Sequence, residues 1–132
     1  MIYKDSVYDP TKQYLGGTGH WLTPYLRDYM EVRLSSFLVT DFDRCAFYHD
    51  VDYTGTRRTG FCGWLLDRWD QRRADVRFYE RMNKAVDMAF DNEIISHNES
   101  IDGYDFAHLA YTGVRVGAWG NFKTNKKEQD NG

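Results

Sequence analysis

The chain has 132 residues, of which 42% are hydrophobic and 17% aromatic, and its formal net charge is −3. This length supports one hydrophobic core in one domain, and the near-neutral charge does not favour nucleic acid, so no nucleic-acid partner is expected. No stretch approaches the roughly 18 apolar residues of a membrane span. The segment Met1–Asp5 has no apolar run of the kind that opens a signal peptide. We therefore expect synthesis as a cytoplasmic chain, with later export or packaging into a virion left open.

The small number of cysteines also indicates whether the protein is expected in an oxidising or a reducing compartment. Cys45 and Cys62 are the only two cysteines, so at most one disulfide can form. Small secreted domains usually carry several disulfides. Reduced thiols are therefore expected.

The N-terminal part contains a glycine-rich segment. Residues 1–13 are polar and irregular, and Tyr14–Gly19 then places three glycines within four positions. Glycine tolerates positive φ, so such a segment can turn backbone carbonyls or amides toward a ligand. A plain flexible loop is the alternative.

Two helices are predicted next. Thr23–Pro24 combines an N-cap residue with proline at the first helical position, and this helix should run to about Val39. Thr40–Asp43 resembles a capping box with Asp in place of Glu, and it should open a second helix. Glycine in Thr54–Gly55 should end that helix.

The second half of the chain is predicted to alternate between loops and helices. Residues 54–67 should form a loop whose large side chains fold back on the core, although an exposed Phe61, Trp64 or Leu65 would make it a candidate membrane-contact or lid segment. A long helix should follow from Asp67 to Asn92, and a shorter one from Tyr104 to Tyr111. The remaining predictions are a turn over 98–103, an extended or coiled segment over 112–122, one domain over 1–122 and a disordered polar tail over 123–132.

Two of these helices place an ionisable side chain on their apolar side. At 100° per residue, His49 lies in a stripe with Cys45, Ala46 and Tyr53, and Asp75 lies at the centre of the core-facing side of the long helix. Burying either group alone would cost several kcal/mol. The sequence therefore predicts a mainly α fold in which two antiparallel core helices bring His49 and Asp75 together.

Such a pair has a specific chemistry. A carboxylate that accepts the proton of one imidazole nitrogen fixes the tautomer, and the other nitrogen becomes a base able to deprotonate water. Asp50 projects to the side of His49 and can hold a cation. Ca²⁺ prefers oxygen ligands, including the carbonyls that the glycine-rich segment could supply. Together these groups indicate a hydrolytic site for an ester.

Three motifs carry a family resemblance. The run His49–Tyr53, the pair Ala74–Asp75 and the segment Tyr14–Gly19 resemble the HDxxY helix, the second-helix aspartate and the calcium loop of the phospholipase A2 superfamily. The similarity is greatest to its disulfide-poor viral, phage and bacterial members. Thr18 departs from the pattern, because the family has glycine there.

The resemblance implies a role for each matching residue. His49 would be the general base, Asp75 would orient it, and Tyr53 would hydrogen-bond Asp75. Ca²⁺ would be bound by the carboxylate of Asp50 and by the backbone carbonyls of Tyr14, Gly16 and Thr18. The amide of Gly16 or Gly17 would hold the oxyanion.

The implied function is calcium-dependent hydrolysis of a phospholipid ester at a membrane surface. The non-enzymatic alternative is a catalytically silent lipase-like scaffold that binds a host or virion protein. The long helix also carries a basic face opposite its apolar side, which is either a solvated face or a face that docks on anionic lipid or nucleic acid. The expected membrane-contact residues are Arg73, Arg77, Arg81, Lys84 and Trp64.

Two metal-dependent alternatives use other histidines. The phosphohydrolases called HD domains need an additional upstream histidine, but His20 precedes a helix start rather than lying within a helix. A zinc site from His97 and His108 lacks cysteine partners and suitable spacing. Both alternatives are less favoured than ester hydrolysis.

Overall fold

The computed structural model describes residues 6–12, 14–15 and 23–124. These residues form a mainly α fold, which confirms the predicted class, and an isolated bridge between Thr56 and Thr124 is the extent of their β-structure. None of the described helices is long and apolar enough to cross a membrane. The elements in chain order are α1 (Thr23–Arg33), α2 (Ser36–Asp52), α3 (Gly60–Asp91), α4 (His97–Gly117) and a 3₁₀ turn (Trp119–Asn121).

The boundary between α1 and α2 lies earlier than predicted. Ser35 is extended, with φ −69° and ψ 159°, and its hydroxyl accepts a hydrogen bond from the amide of Leu38 at 3.4 Å. It therefore caps α2 by satisfying an amide that has no partner within the helix. The predicted capping box at Thr40–Asp43 is wrong, because Thr40 lies inside α2 and donates to the carbonyl of Ser36.

The third helix begins seven residues before the predicted start at Asp67 and ends at Asp91, beside the predicted end at Asn92. The predicted loop over 54–67 is thus only the link over 54–59. Phe61, Trp64 and Leu65 do not fold back on the core. They lie 72%, 46% and 47% exposed on the first turns of α3.

The fourth helix is longer than predicted at both ends. Ser96 caps it by accepting from the amide of Glu99 at 3.2 Å, and the helix continues to Gly117. The predicted turn over 98–103 is therefore wrong, and the prediction of an extended or coiled segment over 112–122 is wrong for 112–117, since α4 covers both ranges; residues 118–122 lie outside α4. Gly103 explains part of the error. It looks like a helix breaker, but a Cβ there would lie 2.9 Å from Val86 Cγ2, so glycine lets α3 and α4 approach closely.

The second and third helices run antiparallel, as their contacts show. Near the start of α2, Phe37 borders the same groove as Met88, whereas His49 contacts Asp75 and Tyr53 contacts Gln71. Residues later in α2 therefore contact residues earlier in α3. The core between α2, α3 and α4 includes the completely buried side chains Leu38, Phe42, Met82, Val86 and Phe106.

A second, smaller cluster joins the end of α2 to the end of the described chain. Tyr53, Ala74, Ala118 and Phe122 pack together there. The amide of Lys123 donates to the carbonyl of Tyr53 at 2.8 Å. Lys123 and Thr124, which the sequence assigned to the tail, thus take part in the fold, and the remainder of the predicted tail lies outside the described residues. Both cysteines are free thiols, as expected.

Candidate active site

The candidate site is centred on a histidine and an aspartate buried between α2 and α3. His49 is 5% exposed and Asp75 is completely buried. Nε2 of His49 lies 2.7 Å from Oδ1 of Asp75. This is the distance of a charge-assisted hydrogen bond, so it engages one ring nitrogen and leaves Nδ1 on the opposite edge of the imidazole.

Two further side chains hold the aspartate. The hydroxyl of Tyr53 donates to Oδ1 of Asp75 at 2.5 Å, and Nη1 of Arg115 donates to Oδ2 at 2.9 Å. Burial, and then the negative charge of Asp75, raise the pKa of Tyr53 far above its ordinary value, so Tyr53 keeps its proton and remains a donor. Arg115 brings a positive charge from α4, which offsets the cost of burying the carboxylate.

Packing fixes the orientation of the imidazole. The ring of His49 lies 4.6 Å from that of Phe78 and 4.2 Å from that of Tyr53, measured between centroids. Gln71, which is almost completely buried, donates from Nε2 to the hydroxyl of Tyr53 at 3.4 Å. The histidine is therefore held by α2, α3 and α4 together.

A small cavity of about 70 Å³ adjoins this network. Its polar lining comes from His49, Asp50 and Asn121, and most of the rest is apolar. A water molecule needs roughly 10–15 Å³ of such space, so the cavity can hold a few waters or a small polar group. The remaining wall residues include Tyr14, Leu15, Leu26, Ala46, Tyr53, Phe78, Ala110, Gly113, Val114 and Ala118.

Asp50 lies in the wall of this cavity, close to His49. Burial, and then the negative charge of Asp43, raise the pKa of Asp50 to about 7. Within the described ranges no lysine or arginine forms an ion pair with Asp50. No group of three or more histidine, cysteine, aspartate or glutamate side chains able to hold a metal is found among these residues. A single carboxylate with backbone carbonyls is nevertheless a donor set that suits a hard cation such as Ca²⁺.

The start of the glycine-rich segment is fixed next to Asp50 by α2. Oδ1 of Asp43 accepts from the amides of Tyr14 and Leu15 at 2.7 and 2.9 Å. The ring of Tyr14 also packs on that of Phe47, with centroids 4.9 Å apart. Tyr14 thereby lines the same cavity as Asp50. The other loop residues assigned by resemblance, Gly16, Gly17 and Thr18, lie outside the described residues.

The residues of the expected basic membrane-contact face have different surroundings. Arg77 and Arg81 both contact Asp52 of α2, at 3.3 and 3.1 Å, so these two arginines face a neighbouring helix. Arg73 and Lys84 are exposed, and in the described part of the chain neither has an ion pair. The four residues thus do not form one unpaired surface, and Trp64 lies farther toward the start of α3.

Three side chains of the site were not singled out from the sequence. Asp43 was assigned to a capping box, Arg115 lay in a segment predicted to be extended or coiled, and Gln71 carried no pattern of its own. The spacing of Asp43 and Asp50 held a usable signal, because residues two helical turns apart lie on the same face. No local pattern predicts that Arg115 of α4 reaches Asp75.

Two of the other histidines lie away from this network. His97 and His108 are both exposed on α4, and His108 packs edge-on against Tyr79. His20 is outside the described residues.

Comparison with known proteins finds no matching family model, no matching curated protein and no matching solved structure.

Proposed function

We propose that this protein is a calcium-dependent phospholipid hydrolase in which His49 activates water to attack an ester. One observation carries the proposal: His49, which is hydrogen-bonded to the buried Asp75, lines the same cavity as Asp50, a carboxylate that no described lysine or arginine pairs with. A viral, phage or bacterial origin and an association with virions belong to the same proposal. They rest on the motif resemblance alone.

The histidine has the surroundings of a general base. With Nε2 protonated and donating to Asp75, Nδ1 carries the lone pair that would take a proton from water. Asp75 stabilises the imidazolium that results. Tyr53 and Arg115 hold Asp75 in place, so the imidazole stays aligned while its charge changes.

Asp50 is the residue best suited to hold the metal. Its largely buried carboxylate lacks a cationic partner among the described residues, and a bound Ca²⁺ would supply one. The carbonyls of Tyr14, Gly16 and Thr18 would complete the ligand set, and the amide of Gly16 or Gly17 would donate to the oxyanion. When bound, the ion would stabilise the negative charge that develops on the ester oxygen.

The test is fatty-acid release from phospholipid in mixed micelles, with Ca²⁺ and then with excess chelator. We expect release with Ca²⁺ only, and a loss of at least about 100-fold in His49→Gln, because the base is removed. His108→Gln is the matched control, since His108 is an exposed histidine on α4. Its activity should equal that of the unaltered protein.

Other outcomes would select another function. Release that survives both chelation and His49→Gln would overturn the proposed mechanism. A stable, folded protein with neither Ca²⁺ binding nor release would favour the silent scaffold, which binds a host or virion protein. Mn²⁺-dependent hydrolysis of nucleotides would favour a phosphohydrolase.

A further inference from the structure

An apolar stripe runs along the solvent side of the first turns of α3. We define the α3 stripe as Phe61, Leu65, Leu66 and Trp69, which are 72%, 47%, 53% and 53% exposed. Phe61, Leu65 and Trp69 are four residues apart in succession, so they align along one side of the helix. Trp64 extends the stripe at its edge by stacking on Phe61, with ring centroids 6.1 Å apart.

This part of α3 is held firmly although its outer side is uncovered. The buried carboxylate of Asp67 accepts from the amide and Nη1 of Arg58, both at 2.8 Å, and from Nζ of Lys123 at 3.0 Å. Asp70 is bound by the same two cations. The helix is thus anchored through its inner side, and both of its carboxylates in this region are neutralised.

The charged side chains beside the α3 stripe that have no ion pair among the described residues are cationic. Arg68, Arg72 and Arg73 border it, and in the described part of the chain no carboxylate pairs with any of them. Arg72 lies over the ring of Trp69, 5.9 Å from its centroid. Exposed tryptophan, phenylalanine and leucine bordered by arginine are the composition of helices that lie in the interface of anionic membranes.

The stripe also lies beside the candidate active site. The guanidinium groups of Arg57 and Arg68 lie 4.3 and 4.7 Å from the centroid of the Trp119 ring. On either side of Trp119, Ala118 and Asn121 line the cavity that contains His49. A surface in contact with the α3 stripe would therefore lie next to the segment that forms one wall of the cavity.

From these observations we infer that the first turns of α3 dock the protein on an anionic phospholipid surface. The inference rests on the proposed function, because that function places the substrate in such a surface. A second copy of this chain is a poorer occupant of the stripe, since pairing two stripes would bring the arginine borders of both copies together. Anionic head groups instead complement this charge.

The test is co-sedimentation with vesicles in excess chelator, using His49→Gln so that no hydrolysis occurs. Vesicles of mixed phosphatidylglycerol and phosphatidylcholine should bind the protein, and added salt should weaken binding because surface charges are screened. Leu65→Glu with Trp69→Glu should reduce binding at least about tenfold, since each side chain loses its apolar burial in the lipid. Arg72→Glu with Arg73→Glu should reduce binding to anionic vesicles to a similar extent.

Matched controls lie elsewhere on the surface. Val32→Glu alters an apolar side chain that is 81% exposed on α1, and Lys12→Glu alters an exposed cation in the segment before α1. Neither should reduce binding by more than twofold, on the order of 0.4 kcal/mol. Far-ultraviolet circular dichroism should show the same helix content in these variants as in His49→Gln alone, because every further altered residue is exposed.

The outcomes separate docking from catalysis. Absence of vesicle binding, or equal binding by the stripe variants and the controls, would overturn the inference even if the protein hydrolyses dispersed short-chain phospholipid. Binding that depends on the stripe, without hydrolysis by the unaltered protein, would overturn only the proposed function. A dimer in sedimentation that the stripe substitutions dissociate, with no vesicle binding, would identify a second copy as the occupant.

Discussion

Asp50 shows how a single side chain links stability to the proposed chemistry. It lines the cavity beside His49, and burial followed by the charge of Asp43 raises its pKa from 3.8 to about 7. The folded protein therefore binds this proton more tightly than the unfolded chain does. Ionisation of Asp50 at neutral pH lowers the free energy of unfolding. A bound cation would offset this loss.

The pH dependence follows from this shift. The stabilising contribution of protonated Asp50 is complete below about pH 4 and is lost as pH rises through about 7. The unfolding free energy of the unaltered protein, minus that of Asp50→Asn, should therefore fall between pH 4 and 8. Denaturant titration across that range measures it.

The effect of added Ca²⁺ on stability should also depend on Asp50. At pH 8 it should restore stability to the unaltered protein and leave Asp50→Asn unchanged, because the variant lacks the carboxylate. Asp91→Asn is the control, since Asp91 is exposed at the end of α3. Parallel pH profiles for the unaltered protein and Asp50→Asn would show that Asp50 is not buried as described.

At the scale of the helices, periodicity predicted which sides face the core better than it predicted where the helices end. Leu26, Met30 and Leu34 keep the helical spacing into α2 with Leu38, so the apolar pattern conceals the break at Ser35. In the same way, an apolar run rich in glycine was assigned to a loop over 54–67, although α3 occupies most of it. Helix ends depend on which amide a capping side chain reaches, and apolar spacing carries little of that information.

The packing of α3 on α4 gives a test at this scale. In Gly103→Ala the new methyl group would lie 2.9 Å from Val86 Cγ2 and 3.3 Å from Leu38 Cδ1. Alanine favours a helix over glycine by about 1 kcal/mol, but overpacking a full core costs about 1–3 kcal/mol. Because Val86 and Leu38 are completely buried, we expect packing to dominate, with a net loss of about 1 kcal/mol in denaturant unfolding.

Gly120→Ala is the matched control, since no atom of the described residues, apart from Gly120 and its chain neighbours, lies within 4 Å of the position that its Cβ would take. Its unfolding free energy should change by less than about 0.5 kcal/mol. Equal stability of Gly103→Ala and Gly120→Ala would mean that α3 and α4 are not in close contact at Gly103.

In the molecule as a whole, ion pairs connect the link over 54–59 and the segment after α4 to the inner side of α3. Asp67 is 1% exposed and binds both Arg58 and Lys123. Burial alone would raise its pKa, but the hydrogen bonds from Lys123 and Arg58 outweigh burial and hold the pKa below its ordinary value. The pairing therefore stabilises the fold above about pH 4 and is lost as the pH falls further.

Asp67→Ala tests this connection. It should destabilise the protein by about 3 kcal/mol at pH 7, because it leaves two cations and a backbone amide without their acceptor. Hydrogen exchange should accelerate first at the amides of Arg58 and Lys123. Asp91→Ala, which removes an exposed carboxylate of the same helix, should leave both measurements unchanged, and equal stability of the two variants would contradict the described role of Asp67.

The sequence by itself determined the helical class, the inward direction of His49 and Asp75, and the placement of Asp50 beside the histidine. These properties follow from helical periodicity and from the cost of burying a charge, which act over a few turns of one chain segment. Three contacts were decided only by the tertiary structure. Arg115 pairs with Asp75, Asp43 accepts hydrogen bonds from the backbone at Tyr14, and Lys123 pairs with Asp67. Each of these contacts joins residues far apart in the chain, and their geometry depends on how whole helices pack.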